Sequence, residues 1–171
     1  MSYDTMTRKI NLIVIHEAQT PTGEYFDADD IEQWHEERGE WKPSSITHKY
    51  IGYHWVILLD GTIQAGRHPN EIGAHAKEYN TNSLGICLIG MGKYTPEQWD
   101  SLQSLLEALK GQYEGIKIIG HNEVSSKTCP GFDVQDYLAN DMVPYRDWET
   151  DRKSTRLNSS HSGESRMPSS A

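Results

Sequence analysis

The sequence is poor in cysteine, in phenylalanine and in positive charge. Its 171 residues include 2 Cys and 2 Phe, and 16 Lys and Arg stand against 25 Asp and Glu. Two cysteines are too few for the disulfide framework of a small secreted domain. The net charge of −9 argues against a nucleic-acid ligand, because neutralising phosphates takes clustered Lys and Arg, and it offers no attraction to an anionic membrane.

Long apolar runs are also missing from the sequence. No run reaches the length that crosses a bilayer, and the start, MSYDTMTRKI, lacks the apolar core of a secretory signal peptide. We therefore expect no membrane partner, and we expect the chain to stay in the cytoplasm of its host until another factor releases it. The length suits one domain with its own core.

Short apolar runs alternate with amphipathic helical patterns along the chain. This alternation predicts a mixed α/β fold in which helices flank a central, mainly mixed β-sheet. The predicted strands cover 10–15, 53–59, 84–89 and 116–119, and the predicted helices cover 27–39, 95–110 and 134–139. Acidic side chains in 27–39 are interpreted as a solvated helix face.

Capping and turn residues mark the ends of several predicted elements. Thr95 is expected to cap the second helix, whereas Gly39 and Gly111 are expected to end the first and the second helix. Asp60 and Gly61 stand between two apolar runs, a pattern that predicts a β-hairpin with a type I′ turn.

The predicted organisation has three parts. Residues 1–8 form an N-terminal extension, 9–145 form the folded domain, and 146–171 form a disordered tail. From 154 to 171, 7 of 18 residues are Ser and no apolar period is present, so the segment cannot bury enough surface to offset its ordering entropy. The tail resembles translated adapter sequence more than a natural terminus, and it is excluded from the functional interpretation.

Three potential metal ligands stand at or near the ends of predicted strands. His16 follows the run 10–15, His121 follows the run 116–119 and Gly120, and Cys129 comes eight residues later. Strand ends project into a shared crevice, and two imidazoles with one thiolate make a three-ligand zinc site with an open fourth position. On spacing alone, structural histidines and a buried inert thiol are the better interpretation.

The sequence around these residues changes that balance. The informative segments are, in order, IVIHEAQT (13–20), IEQWHEERG (31–39), IGYHWVILLDGTIQAGR (51–67), IGAHAKEYNTNSLGICLIG (72–90), YTPEQWDSLQSLLEALK (94–110) and GHNEVSSKTCPGFD (120–133). Together they resemble the type-2 N-acetylmuramoyl-L-alanine amidases, a superfamily that includes phage lysozymes with amidase activity and the peptidoglycan recognition proteins. The phage branch is most similar, because Lys127 stands two residues before Cys129.

The resemblance implies a set of site residues and a cofactor. It implies one Zn²⁺ per chain, bound by His16, His121 and Cys129, and catalytic roles for Tyr53 and Lys127. Zinc polarises an amide carbonyl and lowers the pKa of water toward neutrality. The residue that protonates the departing nitrogen, Tyr53 or Lys127, is left open. The segment 41–50 departs from the family pattern and is expected to alter substrate access.

The other histidines near these positions and the second cysteine are predicted to have supporting or structural roles. His75 matches a family position near the cleft, which implies substrate binding or the orientation of a metal ligand. Strand alternation places His54 on the side opposite Tyr53, so we expect it to pack in the core or behind a residue of the site. His35 is interpreted as a helix-surface residue, and Cys87 as a small core residue that forms no disulfide.

The resemblance therefore implies hydrolysis of the amide between N-acetylmuramic acid and L-alanine in peptidoglycan. It implies an endolysin that degrades the bacterial cell wall after release from the host cytoplasm. Two alternatives remain: a non-lytic peptidoglycan-binding module, and an amidase that also binds and inhibits a phage RNA polymerase. Members that only bind peptidoglycan typically lack the cysteine ligand, so Cys129 favours catalysis.

Overall fold

A single five-stranded sheet organises the fold. The computed structural model describes residues 8–39 and 43–143. The strands are β1 (Leu12–Glu17), β2 (Trp55–Ile57), β3 (Ile63–Ala65), β4 (Ser83–Leu88) and β5 (Lys117–Gly120). Their spatial order is β3-β2-β4-β1-β5. β1 runs parallel to β4 and β5, β2 runs parallel to β4, and β3 is antiparallel to β2, which confirms the predicted mixed sheet.

Within 8–39 and 43–143, the structure has three α-helices in addition to the sheet. They are α1 (Ala28–Arg38), α2 (Pro96–Gln112) and α3 (Val134–Ala139). Among the helices of the described ranges, none has both the length and the apolar character that crossing a membrane requires.

The chain divides into two units after Phe132. The first unit contains the sheet, α1 and α2. In the second, Asp133 caps α3 by accepting a hydrogen bond from the backbone N–H of Asp136 at 3.0 Å. The predicted tail at 146–171 and residues 1–7 of the predicted extension lie outside the described residues. Arg8 is described, and its guanidinium donates to the carbonyls of Pro69 and Ser83.

The helix starts agree with the sequence, and one helix end does not. Thr95 caps α2 in a reciprocal capping box, and Gly39 ends α1 with a left-handed φ of 69°. In contrast, α2 continues through Gly111 and is capped at Tyr113, so the predicted end at Gly111 is wrong. A glycine ends a helix when it takes the left-handed conformation, which Gly111 does not adopt.

The hairpin between β2 and β3 is confirmed, but its turn type is not. A type I′ turn needs positive φ at both central residues. Only Gly61 has it, at 90°, whereas Asp60 does not. Leu58 instead accepts a hydrogen bond from Gly61 N–H and donates its own N–H to the Thr62 carbonyl, each at 2.9 Å. The left-handed glycine therefore comes after the turn centre, and the loop is one residue longer than predicted.

The two faces of the sheet have different roles. Alternation along β1 places His16 on one face and Glu17 on the other. In the parallel register His16 lies beside Cys87, and Cys87 lies beside Val56. Cys87 and Val56 belong to a buried apolar cluster that also contains Ile31 of α1. Helix α1 therefore covers the face of the sheet that carries His16.

His54 is a core residue, as the sequence predicts. Its side chain is fully buried, and its Nδ1 accepts a hydrogen bond from Gly85 N–H at 3.0 Å. Because Nδ1 accepts, the neutral ring carries its proton on Nε2, which lies 2.8 Å from the carbonyl of Glu71 and 3.0 Å from Nη2 of Arg8. Burial lowers the pKa of His54 from 6.5 to about 4.

This depressed pKa predicts a loss of stability in mild acid. Between pH 6.5 and pH 4 the unfolded chain binds a proton at His54 that the folded chain does not, so stability falls as the pH falls. We expect His54 to contribute a loss of about 2 kcal/mol between pH 7.5 and pH 5. Urea unfolding of wild type and His54→Asn at both pH values measures it. The asparagine carbonyl can accept from Gly85 without titrating, and equal pH slopes in both proteins would contradict the assignment.

Candidate active site

Three side chains with the donor atoms of a metal site converge beside the sheet. The ligand atoms of His16, His121 and Cys129 all lie within 4.8 Å of one another. His16 Nδ1 lies 3.7 Å from Cys129 Sγ, and the ring centroids of His16 and His121 are 4.5 Å apart. Zinc–nitrogen and zinc–sulfur bonds are about 2.0–2.3 Å long. The donor types and their close approach therefore fit a single shared zinc ion.

Parallel pairing of β1 and β5 brings the two imidazoles together. The register pairs Ile15 with Gly120, so His16 and His121 are next in line. His121 directly follows β5, as the sequence predicts. His16 lies inside β1, because that strand continues to Glu17 beyond its predicted end. The site therefore extends over the face of the sheet as well as its edge.

The thiol of Cys129 is buried and is contacted by main chain. The backbone N–H of Glu17 donates a hydrogen bond to its sulfur at 3.1 Å. Burial raises the pKa of Cys129 to about 11, whereas this hydrogen bond and the charge of Lys127 act to lower it. Cys87 is fully buried, and it and Cys129 are free thiols, as predicted.

His75 contacts the ring of His16 directly. Its Nδ1 lies 2.9 Å from His16 Nε2, and its Nε2 lies 3.3 Å from the hydroxyl of Ser83. With His16 Nδ1 directed at the sulfur, His16 Nε2–H donates to His75, and His75 Nε2–H donates to Ser83. A Cβ at Gly73 or at Gly85 would come within 2.5 or 2.7 Å of the His75 ring. The two glycines therefore make the space that the ring occupies.

Burial keeps the histidines of the site neutral. Burial, followed by the charges of neighbouring histidines, lowers the pKa of His16 well below its usual value. Burial also lowers the pKa of His121, and the charge of Lys127 adds to the effect. A neutral imidazole keeps a lone pair for a metal, so these shifts favour metal binding.

Tyr53 and Lys127 provide polar groups at the same cavity. The Tyr53 ring centroid is 5.0 Å from that of His16. Burial, with the nearby thiols of Cys87 and Cys129, raises the pKa of Tyr53 well above 10. Its hydroxyl therefore stays protonated and can donate a hydrogen bond. Lys127 is exposed and adds a positive charge to the rim.

All six predicted site residues border one cavity of about 140 Å³. They are His16, Tyr53, His75, His121, Lys127 and Cys129. The sequence interpretation assigned no site role to the remaining lining residues, which are Glu17, Ala18, Gln19, Ile31, Trp34, His35, Arg38 and Ala74.

His35 corrects a prediction, because it is not a helix-surface residue. Only 6% of it is exposed, and its Nδ1 accepts a hydrogen bond from Gly52 N–H at 2.9 Å. Its ring centroid lies 5.5 Å from that of Tyr53. Burial, then the charges of two arginines, lowers its pKa to about 4. The missed signal is spacing: His35 is four residues after Ile31 and shares its buried face.

Two carboxylates, the half-buried Glu32 and the buried Glu71, hold the segment before Tyr53. Glu32 accepts hydrogen bonds from the N–H groups of Tyr50 and Ile51, each at 2.8 Å, so its prediction as part of a solvated face is wrong. Glu71 accepts from Ile46 N–H at 2.6 Å. Burial acts to raise the pKa of Glu71, but its hydrogen bonds outweigh burial and lower it to about 2. Within the segment 41–50, which departs from the family pattern, residues 41–42 lie outside the described residues.

The sequence matches the family described as Amidase_2: N-acetylmuramoyl-L-alanine amidase, over residues 6–132. The chain belongs to this family. It is an N-acetylmuramoyl-L-alanine amidase by class, and its fold is the one that the resemblance predicts.

Individual relatives of this amidase agree with the assignment. The endolysin of Escherichia phage T7 is 41% identical over 131 residues, which cover 72% of this chain and 82% of that protein. The structure of the N-acetylmuramoyl-L-alanine amidase LysC from Clostridium intestinale matches with a TM-score of 0.65 at 27% identity, covering 86% of this chain and 88% of LysC. Drosophila PGRP-LB matches with a TM-score of 0.62 at 28% identity, covering 73% and 76%.

Proposed function

We propose that this amidase is a zinc-dependent endolysin. It hydrolyses the amide between N-acetylmuramic acid and L-alanine in peptidoglycan. The observation that carries the proposal is the convergence of His16, His121 and Cys129, with Tyr53 and Lys127 on the same cavity. Relatives named as endolysins and as peptidoglycan-recognition proteins support peptidoglycan as the substrate and the cell wall as the place of action.

The donor set supports zinc as the cofactor, one ion per chain. Two imidazoles and one thiolate form a borderline-soft set, and three protein ligands leave a fourth position for water or substrate. When bound, zinc supplies a Lewis acid that polarises the carbonyl and lowers the pKa of water to about 7. We propose that His75 orients His16 through the contact between their rings, as outer partners of metal-binding histidines commonly do.

Lys127 and Tyr53 carry the remaining chemistry of amide hydrolysis in this proposal. Attack at the carbonyl carbon places negative charge on its oxygen, and the departing nitrogen needs a proton. The Lys127 ammonium and the Tyr53 hydroxyl both border the cavity, and each can stabilise that charge. Each group also carries a proton that it can deliver to the nitrogen. Burial keeps the Tyr53 hydroxyl in its protonated form.

Two other functions are less well supported. A module that only binds peptidoglycan has no need for a buried thiol within reach of two neutral imidazoles, so the site favours catalysis. Inhibition of a phage RNA polymerase stays a prediction from the family resemblance. A role for His75 in substrate binding also stays a prediction, since both its ring nitrogens already have partners in this structure.

Replacing one cysteine, but not the other, should remove the metal. We expect Cys129→Ala to lose both zinc and amidase activity, because two imidazoles alone leave the ion without its thiolate. Cys87→Ala is the matched control for zinc content, since Cys87 is also a buried free thiol but is not one of the three converging ligands. Its amidase activity is not a control, because the Cys87 thiol hydrogen-bonds Tyr53. Zinc content per purified chain and activity on sacculi are measured together. Full zinc in Cys129→Ala would contradict the ligand assignment.

Replacing Lys127 should separate metal binding from catalysis. We expect Lys127→Ala to keep one zinc per chain and to lose about 10²–10³ in kcat, the usual effect of removing one group that stabilises the oxyanion. The control is Lys110→Ala, an exposed lysine near the end of α2. If Lys127→Ala purifies without zinc under conditions that load the control, Lys127 supports the metal site and its catalytic role is wrong.

The products identify the bond that is cut. We expect digestion of purified sacculi to release stem peptides that begin with free L-alanine and to leave the glycan strands intact. Mass spectrometry of soluble products, with and without a chelator, measures this. Shortened glycans, or peptides cut after L-alanine, would refute the proposed reaction, and chelator-resistant release would refute its zinc dependence.

A further inference from the structure

We propose that Glu17 and Tyr94 are positioning residues that hold Cys129 in place from the face of the sheet opposite His16. The proposal rests on the proposed function, in which Cys129 binds the metal. Neither residue is among the three converging ligands. Their role is to fix the loop that carries the sulfur.

Glu17 is a buried carboxylate next to a metal-binding histidine. Only 4% of the residue is exposed, and a charged group is expensive to bury unless hydrogen bonds satisfy it. Its Oε1 accepts from Gly92 N–H and from the Tyr94 hydroxyl, each at 2.7 Å. Because neighbouring side chains of a strand point to opposite faces, these bonds form on the side away from His16.

Tyr94 connects this carboxylate to the loop of Cys129. Its hydroxyl also lies against the carbonyl of Pro130, the residue that follows the cysteine, so its single proton is shared between two acceptors, Glu17 Oε1 and the Pro130 oxygen. Its ring packs edge-on against Trp99 and Phe132, with centroid distances of 5.5 and 6.1 Å. Burial and Glu17 raise the pKa of Tyr94, so the hydroxyl keeps the proton that it donates.

The main chain completes the connection. The backbone N–H of Glu17 donates a hydrogen bond to Cys129 Sγ at 3.1 Å. Glu17 therefore contacts the sulfur directly through its main chain, and it contacts the loop that carries Cys129 through its side-chain bond to Tyr94. The loop also packs closely on Gly92: a Cβ at Gly131 would lie 2.8 Å from the Gly92 Cα and 3.0 Å from Glu17 Oε1. Since His16 and Glu17 are consecutive in β1, a single strand segment sets the position of two of the three metal donors.

Metal affinity tests the proposal. The variants are Tyr94→Phe, Glu17→Ala and Glu17→Gln, and the control is Tyr25→Phe, a tyrosine that is 59% exposed. Zinc dissociation constants come from competition with a chelator, and cobalt substitution reports the thiolate through its charge-transfer absorption. Removing the outer partner of a metal ligand typically costs 10–100-fold in affinity. We expect about 10-fold weaker zinc binding in Tyr94→Phe, and a larger loss with altered cobalt absorption in Glu17→Ala.

Glu17→Gln is the conservative rescue. Its amide oxygen can accept from both Gly92 and Tyr94, so we expect near wild-type affinity, and Tyr25→Phe should match wild type. At saturating zinc, Tyr94→Phe should recover kcat with an unchanged KM, because Tyr94 is not among the residues that line the active-site cavity.

A purely structural role has a different signature. It would lower the free energy of unfolding of the metal-free variants while leaving zinc affinity and cobalt absorption unchanged, and this result would overturn the proposal. So would a Glu17→Gln variant as weak as Glu17→Ala. Tyr94→Phe is mild enough to keep the test informative if Glu17→Ala fails to fold. Wild-type protein that binds no zinc would instead overturn the proposed function, and the titration of wild type alone reveals it.

Discussion

The parallel pairing of β1 with β5 runs from the pair Leu12 and Lys117 to the pair Ile15 and Gly120. The next residue after each of these two paired segments is a histidine. Residues 105 positions apart thereby become neighbours whose ring centroids are 4.5 Å apart. Cys129 then reaches the same place from the loop that follows β5. The site depends on this pairing, because His16 and His121 are far apart in the sequence and the sheet brings their rings together.

Burial determines the chemistry that the paired histidines can support. Away from water the charged form of an imidazole is costly, so His16 and the histidines around it are held neutral. His75 then directs the free lone pair of His16 toward the sulfur by accepting from the other ring nitrogen. An acidic chain thus contains a cavity of neutral donors, with Lys127 and Arg38 among its lining side chains.

Much of the fold could be predicted from local signals, because each signal acts within a few residues. The capping box at Thr95, the apolar run of β1 and the extent of α3 need only neighbouring residues to form. Gly111 misled because an internal helical glycine and a terminal one look the same in sequence. The turn at Asp60 and Gly61 misled because its length depends on a hydrogen bond closing from Leu58 to Thr62.

Predicting the site needed more than local signals. Strand-end positions suggested His16 and His121, but the zinc ligand set and the roles of Tyr53 and Lys127 came from the family resemblance. Glu17 was missed because its partners are 75 or more residues away in sequence. His35 was missed although its spacing from Ile31 indicates burial. Contacts between distant segments arise from the fold as a whole, and a single sequence does not display them.

The alternation of β1 has a consequence for how this chain can vary. A two-residue period means that inserting or deleting one residue between 12 and 15 would exchange the faces on which residues 16 and 17 stand. The imidazole would then point away from its cavity, and the carboxylate would enter it. Point substitutions among the buried aliphatic residues of this strand preserve the alternation, whereas length changes do not. We therefore expect β1 to tolerate the exchange of one aliphatic residue for another, but not the insertion or deletion of a single residue.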